Sequence, residues 1–307
     1  MMCNRISKWA ALLFTIIIVL CGNSTAFAAN GNNDEESINE KFGLPIVVYG
    51  EALSASQKEE VRKLLGVTDT SKVTEITVSG EDLVKYIKGD RHSNMYSSAK
   101  ITRKEKGQGL VIEQVTPENI TEVTNEMYGN ALLTAGIQDA KVEVASPIKV
   151  SGHSALVGIY KAYDAGDGAA LNTDRTEVAN EELSLATDLA KKEGLDQDKV
   201  SQLLTDIKKE IAEQNPATKE EIAQIIDERL KALGITLSEQ DRQLLIDLFE
   251  KMRGLNINFD NVQSQLEDLS KDIQNRIGEV VSENQGFLQA VSEFFSKLIE
   301  GIKNLFS

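Results

Sequence analysis

The spacing of apolar positions changes along the chain and outlines two regions. "LPIVVYG" (44–50) is a short β-branched run, and "SASQKEEVRKLLG" after it has helical spacing with Gly66 as a stop. Ser56 and Glu59 are placed there as a capping box. "EITVSG" then reads as a strand and "EDLVKYIKG" as a helix. "SSAKITRKEK", a Gly-Gln-Gly turn and "LVIEQV" read as a hairpin over 97–115. Thr116-Pro117 is placed to open a long helix with Ile120, Val123, Met127 and Ala131 on one face and Gly136 at its end. "AKVEVASPIKVSG" is extended up to a break near Pro147, and "HSALVGIYKAY" is again helical. Mixed strands and helices make 43–165 an α+β or α/β domain.

Past "DAGDGAALNTD" (164–174) only helical periodicity remains. The aspartates of that stretch lack the spacing of a calcium loop, so 166–178 reads as a linker. Val200, Leu203, Leu204, Ile207 and Ile211 form one apolar stripe, and Ile222, Ile225, Ile226, Leu230 and Leu233 the next. Thr218–Glu221 and Ser238–Asp241 have capping-box spacing, with Gly234 and Gly254 as stops. Phe259, Val262, Leu266, Leu269, Ile273 and Val280 lie on a heptad seam interrupted by Arg276. An all-α helical bundle over 179–307 is therefore expected. It ends in an amphipathic helix, 287–306. Phe287, Val291, Phe294, Phe295, Leu298, Ile302 and Phe306 share its apolar face, which either closes the bundle core or docks a partner or membrane.

The N-terminus adds a location. Arg5 and Lys8 precede an apolar run from Trp9 to Cys21, and Ala26-Phe27-Ala28 supplies an A-x-A site, the order of a secretory signal peptide over 1–28. Bulky Leu20 before Cys21 disfavours lipidation. Residues 29–42 are acidic and polar, as in a disordered linker. Both cysteines, Cys3 and Cys21, lie in the leader, so a mature chain would have neither disulfides nor thiolate chemistry. The formal charge of −15 is concentrated after residue 166, which disfavours nucleic acid and unaided docking to anionic membranes. A secreted or extracellular protein, or one associated with the cell envelope, is the expectation. Its candidate partners are a surface protein or a wall polymer, the latter within reach of the basic run Arg103-Lys104-Glu105-Lys106.

Candidate chemistry is sparse. "SGHSALVG" places Ser154 on an apparent strand-turn-helix elbow, but Leu156 stands where G-x-S-x-G needs its last glycine. No histidine follows Ser154, His153 is its immediate neighbour, and Val157 excludes S-x-x-K. His153 and Ser154 therefore stay weak catalytic candidates. A structural account competes with them. Gly50, Gly80 and Gly152 each end an extended run and lead towards a helix, with Ser79 and Ser151 placed as caps. His92 sits alone in a polar loop, and Glu118, Glu122 and Glu126 recur every four residues on the expected helix. No cofactor or metal motif is present in the sequence.

"VVYGEALSASQKEEVRKLLGV", "SSAKITRKEKGQGLVIE", "TPENITEVTNEMYGNALLTAGIQDAKVEVASP" and above all "VSGHSALVGIYKAY" resemble the YpuA-like family of secreted Gram-positive proteins, a family of unknown function numbered 1002. The resemblance implies export and carries over no catalytic residue, ligand or cofactor. A non-catalytic binding module is the leading expectation, with an envelope-acting hydrolase or a membrane-interacting protein as alternatives.

Overall fold

The computed structural model describes residues 42–166, 170–192, 195–257, 259 and 262–282. The expected leader, the acidic segment up to residue 41 and the amphipathic helix expected over 287–306 lie outside them. The first half comprises β1 (Ile46–Gly50), α1 (Ala55–Leu64), β2 (Thr74–Val78), α2 (Gly80–Ile87), β3 (Ser98–Arg103), β4 (Leu110–Gln114), α3 (Asn125–Ala135), β5 (Ala140–Ala145) and α4 (His153–Ala165). The second half comprises α5 (Thr173–Ala190), α6 (Gln197–Gln214), α7 (Lys219–Leu233), α8 (Glu239–Gly254) and α9 (Gln263–Ser282).

The strands form one sheet in the order β2-β1-β3-β5-β4. β1 and β2 are parallel, joined through α1, and β1 is antiparallel to β3. Alternation along β1 serves both faces of the sheet. Val47 and Tyr49 pack with Val61 and Leu65 on the α1 side, whereas Ile46 and Val48 join the main core. Lys100 is buried on the α1 side, where it pairs with Glu143 of the neighbouring strand at 2.7 Å and donates to Leu65 O. α3 and α4 cover the opposite face, and the later helices pack beyond them. A single apolar cluster runs from Ile46 to Leu266. It includes both stripes read from the sequence, the first through Ile207 and the second through Leu230. The chain is thus mixed α+β, with a five-stranded sheet first and a series of helices later.

Several local expectations change. β3 and β4 do not pair as a hairpin, because β5 lies between them. The loop that joins them crosses the start of β5, where Asp139 Oδ1 accepts from the amides of Gly107 and Gly109, both at 2.9 Å. Lys104 N donates to the Asp139 carbonyl as well. The helix expected from Pro117 is only a 3₁₀ turn over Pro117–Asn119. Ile120 then bridges to Val150, which claims the backbone groups a helix would use, and α3 starts later with Thr124 as its cap. Glu118, Glu122 and Glu126 therefore do not share a helix face. The first capping box is Ser54 with Gln57, two residues before the expected Ser56 and Glu59. Asn172 caps α5, so this helix begins inside the segment read as a linker over 166–178. Leu171 N donates to Asp164 Oδ1 at 2.7 Å, tying that entry to α4.

Other local readings hold. Thr218 and Glu221 make both bonds of a capping box, and Gly234 ends α7 in the left-handed conformation. Phe259, Val262, Leu266 and Ile273 of the seam are buried. Arg276, which interrupts that seam, reaches Glu126 and Asp198.

A buried polar group lies where α3, α5 and α6 meet. Lys208 Nζ is 2.5 Å from Glu182 Oε1, with side-chain exposures of 0% and 1%. It also donates to Asn130 O at 2.7 Å, while Thr134 Oγ1 donates to Glu182 Oε2 at 2.6 Å. Burial pulls the Lys208 ammonium below the ordinary lysine range, and Glu182 opposes that shift.

Candidate functional site

The elbow around Ser154 borders a cleft of about 340 Å³ between α2, the loop after it and the start of α4. Its apolar floor includes Leu83, Ile87 and Val157, and Ser93, Asn94, Tyr96, Ser151, His153 and Ser154 supply its polar groups. The three glycine joints recognised in the sequence build its walls. Gly50 lies against the carbonyl of Met95, where an added Cβ would come within 2.1 Å of that oxygen. At Gly80 a Cβ would come within 1.7 Å of Arg91 O. These two glycines let the loop from Arg91 to Tyr96 lie directly on the ends of β1 and β2, where Ala52 N also donates to Met95 O at 3.0 Å.

Gly152 sets the opposite wall. It occupies the N-cap of α4 with φ 104°, so Ser151 does not cap this helix as its position implied. Tyr128 Oη donates to Gly152 O at 2.6 Å, and a Cβ would meet Ile120 Cγ2 at 2.7 Å. Ser79 and Asp82 do lock the start of α2, with Ser79 N donating to Asp82 Oδ2 at 2.8 Å. Asp82 also pairs with Lys161 of α4 at 2.7 Å, fixing the two helical walls together.

His153 turns towards α5, where its Nε2 lies 3.2 Å from Thr187 Oγ1. Thr187 Oγ1 donates to Ser184 O, so the pair is satisfied when Nε2–H donates to the threonine. Burial lowers the His153 pKa below the usual imidazole value and favours the neutral ring. No hydrogen bond joins His153 to Ser154 among the described residues, and the observed partner of the ring is a hydroxyl, not an orienting carboxylate. The arrangement holds a ligand-sized, largely apolar cleft edged by polar side chains, with no base bonded to its serine among the described residues.

His92, singled out in the same loop, is exposed outside the cleft lining, and its backbone amide donates to Asp90 Oδ1. Sequence reasoning placed Tyr96 in the same polar loop as His92 and passed over Ser93 and Asn94. Their signal was the short polar run around His92 that follows α2. Among the basic-run residues, Arg103 stacks on Tyr163 at 4.3 Å and donates to its carbonyl. The described residues contain no cluster of three or more metal-ligating side chains and no helix long and apolar enough to cross a membrane.

The chain belongs to the family described as protein of unknown function (DUF1002), whose model matches residues 49–269, from the end of β1 into α9. Its curated relatives include "Uncharacterized protein YpuA" of Bacillus subtilis (strain 168), 36% identical over 270 residues that cover 86% of this chain and 90% of that one. No solved structure matches.

Proposed function

We propose that the chain is exported and serves as a non-catalytic binding module of the cell envelope. The cleft between α2 and α4 is its recognition surface, and the helices after α4 brace that surface or present a second one. The observation that carries this reading is a ligand-sized cleft whose serine has no base bonded to it among the described residues. The leader-like order of residues 1–28 supports export, and the acidic second half disfavours nucleic acid as the partner. Fractionation of producing cells tests it. The protein is expected in the wall, the membrane-associated fraction or the medium, and deletion of residues 1–28 is expected to retain it in the cytoplasm. Cytoplasmic accumulation of the full chain would contradict the reading.

A hydrolase is the second reading, favoured by the placement of His153 and Ser154 in the cleft. It requires a hydrolytic activity on envelope material that Ser154→Ala abolishes. Partner docking through Phe287, Val291, Phe294, Phe295, Leu298, Ile302 and Phe306 is a separate proposal on residues outside the described ones. Equal partner recovery with and without 287–307 would remove it.

A further inference from the structure

The cleft carries a property that narrows its ligand. None of its lining residues is Asp, Glu, Lys or Arg, although 26% of the whole chain is charged. Three other clefts among the described residues all include charged side chains. One holds Glu126, Asp268, Asp272 and Arg276, a second Arg253, and a third Asp227 and Lys231. An uncharged lining gives no counter-ion to a phosphate polymer or a cationic peptide. It offers instead serine hydroxyls, the Asn94 amide and the Tyr96 ring above an apolar floor.

That combination suits a sugar, whose hydroxyl and amide groups project from rings with apolar C–H faces. The walls are two helices and a loop rather than a free sheet edge, so an extended peptide would find no row of backbone partners there. The surface is also held in place before any ligand arrives. Gly50 and Gly80 receive the loop, Ser93 N donates to Asp90 O at 3.1 Å, and the Lys161–Asp82 pair joins the helices. Such pre-organisation lowers the ordering cost that a small polar ligand would otherwise have to offset.

We infer that this cleft binds a neutral, amide-bearing oligosaccharide of the kind found in wall glycan strands, an inference that rests on the binding-module reading above. Asn94 and the serines contact the polar edge of the sugar, and the Tyr96 ring contacts its C–H face. The probe is a soluble N-acetylglucosamine oligomer titrated into the full chain lacking residues 1–28. Saturable binding is expected, weakened about tenfold by Tyr96→Ala and by Asn94→Ala. Asn94 is exposed, so its variant is expected to keep the unfolding temperature of the parent.

Absence of saturable binding, or binding unchanged in both variants, would overturn the ligand assignment. Retention of the parent on whole cell walls without oligomer binding would also overturn it, yet leave the envelope reading intact. Oligomer binding without retention on any envelope fraction would do the reverse.

Discussion

Lys208→Met tests how the later helices are tied to the sheet-bearing part of the chain. The substitution keeps the unbranched shape of the side chain but removes its charge. Glu182 would keep the hydrogen bond from Thr134 while losing its cation, and Asn130 O would lose a 2.7 Å donor. With both partners at 1% exposure or less, water does not replace the lost contacts in the native state. Breaking a buried pair in this way costs about 3–5 kcal/mol. Against a typical domain stability of about 5–15 kcal/mol, that loss is large. At about 2–4 °C per kcal/mol for a chain of this size, the unfolding temperature should fall by roughly 6–20 °C. The double variant Glu182→Leu, Lys208→Met removes the stranded charge and should recover at least half of the loss, since apolar replacements of buried pairs are often neutral or stabilising. Thermal and urea unfolding of parent, single and double variants supply the comparison. A single variant within about 1 kcal/mol of the parent would refute the claim that this pair is fully desolvated.

Gly80→Ala should destabilise by about 2–3 kcal/mol or more, because its Cβ would strike the Arg91 carbonyl, whereas Gly254→Ala meets nothing within 4 Å and should be neutral or stabilising. Urea midpoints of the two variants check the contrast, and equal effects would remove the steric argument. Because burial lowers the His153 pKa, the unfolded chain takes up its proton first as pH falls below about 6.5. Stability should therefore decline from about 6.5 towards the lower folded value, and His153→Gln should reduce that decline; an unchanged pH profile in urea unfolding would contradict it. Ser154→Ala should leave stability within about 0.5 kcal/mol of the parent and abolish no hydrolytic turnover of wall material, in contrast to the hydrolase reading.

Periodicity made β1, α1, β2, α2 and α4 legible because each meets its core through short-range spacing that the chain itself displays. The order of β3, β5 and β4 was hidden for the opposite reason. Insertion of β5 depends on pairings between distant segments, and its local mark is only Asp139 receiving two glycine amides. The false helix start at Pro117 has a similar cause, since Val150 takes the backbone partners of Ile120 and its neighbours from thirty residues away. Lys208 was in plain view four residues after Leu204 on an apolar stripe. Its burial became understandable only once α5 brought Glu182 alongside. The glycine joints were visible one by one, but the shared role of Gly50 and Gly80 needed Met95 and Arg91 to be seen lying on them, and Gly152 meets Ile120 and Tyr128 instead.

The binding role is most directly tested by mapping amide chemical-shift changes on the isotope-labelled chain as soluble glycan fragments of the producer's own wall are added. Saturating changes at residues 83–96 and 150–157, diminished by Tyr96→Ala, are the expected result. Changes confined to other surfaces, or no changes at saturating glycan, would contradict the assignment of this cleft as the recognition site.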